Sequence, residues 1–237
     1  MIHATDSLDY LKEKEPHACR FVCVSDTHGR LNFSFPIPDG DVFVHAGDLT
    51  RVSSYDEFER TIAWIESLPH KIKIVTAGNH DHVLDDKFGF VKDKQQFLAR
   101  MDHANITYLE HESFRLPQSL GRHKMFVSPY APFHIGGAFM LHSLRNIWEA
   151  IPEDIDILVT HTPPFGYQDR IARGGQHVGC PHLRTKVEAI RPRVHIFGHI
   201  HEDHGWQYTP NGATLMINAC ICDRRYRASQ RPVVFDI

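Results

Sequence analysis

The sequence is short of several features that would place a chain quickly. No apolar run approaches the roughly 20 residues needed to cross a bilayer. Met1 to Lys14 carries no charged-then-apolar signal pattern. The five cysteines, Cys19, Cys23, Cys180, Cys220 and Cys222, are odd in number, form no CxxC, and two of them sit in runs that read as buried strand. That usage disfavours a disulfide framework and fits reduced thiols in a cytosolic protein. Repeats, low-complexity stretches and a Pro/Gly/Ser-rich linker are also lacking, so one domain over residues 1–237 is expected. Nor is there an excess of basic charge. Twenty-six Lys and Arg against 29 Asp and Glu leave a formal net charge of −3. No overall field therefore draws the chain to nucleic acid or to an anionic membrane. The expectation is a cytoplasmic protein with no membrane partner and no stable nucleic-acid complex.

What is present is an ordinary globular balance, 42% hydrophobic and 23% charged over 237 residues, enough for a sizeable core. One count is unusual, 19 histidines. Surplus histidines usually lie on surfaces, so position decides which of them matter. Short apolar runs alternate with helical patterns. Strands are expected at Phe21–Val24, Asp41–His45, Ile72–Val75, Ile155–Thr160 and Val194–Phe197, with shorter ones at 106–109, 113–116 and 124–127. Helices are expected at 54–68, where Ser54 and Glu57 form a capping box, at 94–101, at 141–150 and from Pro181 onward. The end reads as all-β, at 204–208, 214–218 and 233–237.

Asp26, Asp48, Asn79, His161 and His199 each follow the C-terminal end of an expected strand. In α/β sheets that edge is where sites assemble, because loops converge there while strands hold them. Ser25-Asp26-Thr27-His28-Gly29 offers a carboxylate and an imidazole, and alone would read as a surface loop. Ala46-Gly47-Asp48 adds a carboxylate able to bridge two cations, and Ala77-Gly78-Asn79-His80-Asp81 an amide, an imidazole and another carboxylate on one tight turn. His161 follows Ile157-Leu158-Val159-Thr160, and Gly198-His199-Ile200-His201 closes the series. Taken singly these are turn residues; the ordered set at successive strand ends is a metal-site pattern.

That set resembles the calcineurin-like metallophosphoesterase superfamily over nearly the whole chain. Arg20 to His28, His45-Ala46-Gly47-Asp48, Val194 to Glu202 and Ile217-Asn218-Ala219 are similar to the metallophosphoesterase-domain phosphodiesterases, including the fetal-brain type of animals. Gly166 to Cys180 resembles that subgroup's linker. The fold implied is α/β, two facing β-sheets flanked by helices in an α/β/β/α sandwich. The resemblance assigns Asp26, His28 and His201 to one metal, and Asn79, His161 and His199 to a second, with Asp48 bridging. Some animal members carry Gly where this chain keeps His199, a departure that favours full activity here. The cofactors implied are two divalent ions, Mn²⁺ first, with Fe, Zn²⁺ and Mg²⁺ as alternatives for such a mixed N/O set.

The reaction implied is hydrolysis of small phosphodiesters such as cyclic nucleotides by in-line attack of a metal-bridging hydroxide. His80, left without a metal, is the expected catalytic group at the leaving oxygen, with Asp81 orienting and charging its imidazole. Asn79 and His80 are also expected to touch substrate; Phe165 and Tyr167 are candidates to stack on a nucleobase, with core packing or loop anchoring an equal alternative. Arg30 and the Arg224, Arg225, Arg227 group read more readily as solvated than as phosphate contacts, and His45 as a core residue. Two other readings stay open: a phosphomonoesterase or protein Ser/Thr phosphatase with the same metals, and a non-catalytic metal-binding scaffold. The presence of His80 counts against the scaffold. Oligomeric state is not encoded in any of these patterns.

Overall fold

The computed structural model describes residues 2–7, 9, 11–134 and 136–237. In chain order the strands begin with β1 (Ala4–Thr5), β2 (Arg20–Val24) and β3 (Val42–Ala46), followed by helix α1 (Tyr55–Ser67) and β4 (Ile72–Thr76). Helix α2 (Val91–His103) leads to β5 (Thr107–Tyr108), β6 (Glu112–Arg115), β7 (Lys124–Ser128), β8 (Ala131–Pro132) and β9 (Met140–Leu141). After α3 (Arg145–Glu149) come β10 (Ile157–Thr160), α4 (Pro181–Ile190), β11 (Val194–Phe197), β12 (Gly205–Tyr208), β13 (Leu215–Asn218) and β14 (Val233–Asp236).

Two six-stranded sheets result, ordered β1-β14-β2-β3-β4-β5 and β12-β13-β11-β10-β7-β6. The middle of each is parallel; antiparallel strands close both edges of the second sheet and the β14–β1 edge of the first, whose other edge, β5, pairs parallel with β4. Parallel strands covered on both faces need apolar side chains at every position, which is why these segments read as unbroken hydrophobic runs. The period of two then sorts them. Phe21, Cys23, Val42, Val44 and Ile74 meet Val127, Ile157, Val159 and Ile196 of the other sheet. Val22, Val24, Phe43 and Val75 turn the other way, onto Phe58, Ile62 and Ile65 of α1 and Phe97 and Met101 of α2. Leu158, Phe197 and Met216 pack outward on Trp148, Leu183 and Val187 of α3 and α4. The expected α/β/β/α sandwich is the observed architecture.

Helix α1 starts at the expected capping box, with the Glu57 N–H donating to Ser54 Oγ and the Ser54 N–H to Glu57 Oε2, each at 3.3 Å. Two helices differ from expectation. Helix α2 begins three residues early because its N-cap is Phe90, which caps with no side chain and leaves no mark in the sequence. The helix expected at 141–150 shrinks to Arg145–Glu149. Its first turn is lost because Leu141 instead pairs with Pro132, and its carbonyl accepts from the Phe133 N–H at 3.0 Å. All five cysteines are buried and unpaired. Among the described residues no helix is long and apolar enough to cross a membrane.

The sheets are stitched together at the edge where the parallel strands end. Beyond β13, Ala219 donates to Phe197 in one sheet and accepts from Ser25 at the end of β2 in the other. Ile221 then donates back to Ser25. Facing strand ends are thereby held in register. Between the sheets, Phe21 stacks on Phe235 with centroids 4.9 Å apart, both fully enclosed. Phe21→Ala should cost about 3–5 kcal/mol of unfolding free energy, while Val178→Ala, on a side chain 40% exposed, should stay within about 0.5 kcal/mol. Urea denaturation of both variants checks the contrast.

Candidate metal centre

Asp26 and His28 follow β2, Asp48 follows β3, and Asn79 and His80 follow β4; His161 follows β10, and His199 and His201 follow β11. Both sheets thus deliver side chains to one place. The backbone is forced there: Asp26, His28, Asp48 and His199 have φ of 53°, 47°, 56° and 70°. Left-handed backbone outside glycine costs of order 1–3 kcal/mol per residue and gathers at functional sites. Close approach fixes two glycines as well. A Cβ on Gly47, whose φ is +103°, would lie 2.6 Å from His161 Nδ1, and one on Gly198 would collide with Asp26 Oδ2 and Ser25 Oγ.

Three imidazoles are oriented by backbone carbonyls. His28 Nδ1 faces Thr50 O at 3.2 Å, His161 Nδ1 faces Ala46 O at 3.0 Å, and His201 Nδ1 faces Asp223 O at 3.1 Å. A carbonyl only accepts, so each Nδ1 carries the proton and donates it, which leaves Nε2 as a lone pair. Those lone pairs converge on other acceptors. His28 Nε2 lies 3.1 Å from His201 Nε2, and His161 Nε2 lies 3.0 Å from Asn79 Oδ1. Between the two imidazoles only a proton or a cation relieves the contact. Burial pulls His201 down, but its hydrogen bond to Asp26 and the Asp26 charge raise it overall, so there a proton and a cation compete. Burial pushes His28, His161 and His199 below the ordinary histidine range.

The carboxylates are arranged with equal economy. Asp26 Oδ2 accepts from Ser25 Oγ at 2.5 Å, the His199 N–H at 2.9 Å and Cys220 Sγ at 3.3 Å. Its Oδ1 is turned to His201 at 3.2 Å and His28 at 3.9 Å. Asp48 Oδ2 lies 3.6 Å from His28 Nε2, and Asp48 Oδ1 3.6 Å from His161 Nε2, one oxygen for each group. Burial would raise Asp26, yet the His201 hydrogen bond and the histidines around it hold it well below the usual carboxylate range. Asp48 is pushed well above that range by burial and by the charges of Asp26 and Asp81. Mixed imidazole, carboxylate and amide donors, with tautomers fixed for ligation, fit divalent cations. Asp26, His28 and His201 can hold one ion, and Asp48, Asn79 and His161 offer donors for another. The His199 ring packs on His161 with centroids 5.0 Å apart.

Other site expectations meet the structure unevenly. The Asp81 carboxylate does not touch the His80 imidazole. It accepts from the backbone N–H groups of Leu49, Thr50 and Gly78 and from the Thr50 hydroxyl. Burial raises it to about 6 against those hydrogen bonds. Its work is to tie the Asp48 loop to the Asn79 turn, which corrects the orienting role expected for it. The His80 ring is instead oriented by the Arg51 carbonyl, 2.7 Å from its Nδ1. Tyr167 is also corrected: it is buried against α4, with its hydroxyl donating to Glu188 at 3.4 Å and Arg184 over its ring, so no base can stack on it. Phe165 is half-buried beside His177.

Two residues at the centre had no signal in the sequence. Tyr226 packs its ring on His28 at 4.8 Å, His201 at 5.3 Å and His80 at 6.2 Å, and the Arg51 guanidinium lies over it at 4.7 Å. Tyr226 sits in an arginine run that reads as solvent-facing, and Arg227 there does pair outward with Asp223. His45 is buried as expected, with Nε2 2.9 Å from the Thr27 hydroxyl; its counterpart in the second sheet, His195, meets Thr160 at 2.8 Å. Burial lowers both to about 3, so both are neutral.

Residues 19–203 match the family model described as calcineurin-like phosphoesterase. The chain is 35% identical over 254 residues to the metallophosphoesterase domain-containing protein 1 of Homo sapiens, covering 100% of this chain and 76% of that one. A UPF0046 protein of Caenorhabditis elegans is 40% identical over 239 residues, covering 92% of this chain and 80% of its own. Among solved structures, TT1561 of Thermus thermophilus aligns with a TM-score of 0.54 at 13% identity, over 85% of this chain and 88% of that one, a likeness of fold.

Crowded buried charge makes opposite effects measurable. In EDTA, Asp48→Asn should raise the melting temperature, because a buried negative charge beside Asp26 and Asp81 is removed; a chain this size gains about 2–4 °C per kcal/mol. With Mn²⁺ added, the same variant should gain less stability than the wild type, because a ligand common to both groups is weakened. Thermal melts with and without metal check both signs.

Proposed function

Because the chain belongs to the calcineurin-like phosphoesterase family, we propose that it is a dinuclear metal-dependent phosphodiesterase acting on small diesters such as cyclic nucleotides. The observation that carries the reading is Asp48, which turns one oxygen to His28 and the other to His161. In this reading Asp26, His28 and His201 hold one ion, Asn79, His161 and His199 the other, and Asp48 spans them. Mn²⁺ is the first choice of metal, and the buried free thiols fit a reducing cytoplasm. Residues 1–237 act as one domain. Two divalent ions supply Lewis-acid charge at the phosphoryl oxygens and lower the pKa of water at the site.

The chain's own residues do the rest. Backbone carbonyls keep Nε2 of His28, His161 and His201 aimed inward, and Ser25, His199 and Cys220 hold the Asp26 carboxylate from behind. A His80 nitrogen lies within 4.8 Å of donor atoms of His28 and Asp48. With Nδ1 committed to the Arg51 carbonyl, its Nε2 is the ring atom turned toward the departing ester oxygen, the position from which a general acid acts. The diester preference is supported by charge. A monoester dianion calls for guanidinium at its open oxygens, whereas Arg51 is drawn over the Tyr226 ring.

Hydrolysis of bis-p-nitrophenyl phosphate should exceed that of p-nitrophenyl phosphate under the same metal; a preference for the monoester would move the assignment to a phosphatase. His80→Ala should keep the metal content of the wild type while slowing turnover by about 10²–10⁴-fold on a ribose leaving group. The loss on p-nitrophenolate should be smaller, because that oxygen needs a proton less. Equal losses would assign His80 to charge stabilisation, and loss of metal would make it a ligand.

A further inference from the structure

Exposed apolar side chains scattered singly need no explanation, but clustering does. Of the large apolar residues most open to solvent, Val52 (67%), Tyr55 (50%) and Phe90 (46%) line a single cavity of about 380 Å³, and Val91 adjoins Phe90. That volume is in the range of small-molecule sites, about 300–1,000 Å³. The walls are aromatic: His82 meets Phe88 edge-on at 4.7 Å, and Tyr55 lies 5.2 Å from Phe97. Ser53, His82 and Asp93 add polar groups to the lining.

The cavity is built on the same two loops that carry His80. Ser53 Oγ donates to the His80 carbonyl at 2.9 Å, and His80 Nδ1 donates to the carbonyl of Arg51, the neighbour of Val52. His82 lies two residues beyond His80 and is lowered by burial and then by the His80 charge, so the two imidazoles feel each other. The cavity wall and the His80 turn are joined by these two hydrogen bonds.

We propose that this cavity receives the base of a nucleotide whose ester oxygen departs against His80. The inference rests on the phosphodiesterase reading and adds a specificity subsite to it. A flat aromatic group matches the rings, and its hydrogen-bonding edge matches the Ser53 hydroxyl, the His82 imidazole and the Asp93 carboxylate. An aliphatic chain would make no use of the polar groups along that edge. Asp93 also sets polarity: its charge accepts from a ring amine and repels phosphate, which stays with the metal ligands. Neither Phe165 nor the buried Tyr167 adjoins His80 in this way.

The test uses the full chain with Mn²⁺ and compares kcat/KM for adenosine 3′,5′-cyclic monophosphate with that for the base-free methyl riboside cyclic phosphate. Phe90→Ala and Val52→Glu, both at exposed positions, should lower that ratio about tenfold, the scale of one lost base–aromatic contact. Calorimetric binding of adenosine 5′-monophosphate, which needs no turnover, should weaken in parallel. If bis-p-nitrophenyl phosphate is hydrolysed but the ratio and the nucleotide affinity ignore both substitutions, the subsite is overturned and the phosphodiesterase stands. If no diester is turned over yet nucleotide affinity falls with both substitutions, the pocket stands and the phosphodiesterase reading fails. A wild-type dimer that Val52→Glu dissociates with the ratio unchanged would make the patch a contact between copies and overturn the proposal.

Discussion

The constraint on which the rest depends is the confrontation of like groups where the two sheets meet. Asp26, Asp48 and Asp81 are all buried within one cluster, and two imidazole lone pairs approach to 3.1 Å. Desolvated like charges raise one another's cost, so a polypeptide gains nothing by assembling them for its own sake. Divalent cations between Asp26, Asp48 and the imidazoles would turn that repulsion into attraction, while backbone donors already satisfy Asp81. Much of the local structure is then intelligible as scaffolding that keeps the repelling groups aimed at one another.

That scaffolding is largely backbone. Carbonyls of Ala46, Thr50 and Asp223 fix three tautomers, and amides of Leu49, Thr50 and Gly78 gather around Asp81. Amides and carbonyls are the right tools because strand ends hold them rigidly, where side chains would add rotamer entropy. Left-handed φ at Asp26, His28, Asp48 and His199 is the strain that this convergence imposes. The Ser25–Ala219–Ile221 hydrogen bonds tie both sheets to it, so the fold and the centre are held by the same contacts.

What the sequence discloses follows from which interactions are local. Strands buried on both faces announce themselves as apolar runs, and the capping box of Ser54 and Glu57 marks a helix start. Asp26, His28, Asp48, Asn79, His161, His199 and His201 are conspicuous because each follows such a run. The gaps are where partners come from far along the chain. Nothing near Asp81 tells that its carboxylate reaches back to residues 49 and 50, or that Arg51 and not Asp81 orients His80. Tyr226 lies among arginines, and only the packing of three histidines reveals it. Tyr167 looked like a platform because it follows His161 closely, yet Glu188 and Arg184 on α4 claim it. Phe90 begins a helix without a polar cap, so neither the helix start nor the cavity beside it is written locally.

The central claim is that one carboxylate, Asp48, joins two metal-binding groups. Electron paramagnetic resonance of the chain loaded with Mn²⁺ addresses it directly, because ions sharing a carboxylate couple their spins. The account predicts that a second equivalent of Mn²⁺ converts the spectrum to that of an exchange-coupled pair. A spectrum of isolated Mn²⁺ at saturation would contradict it.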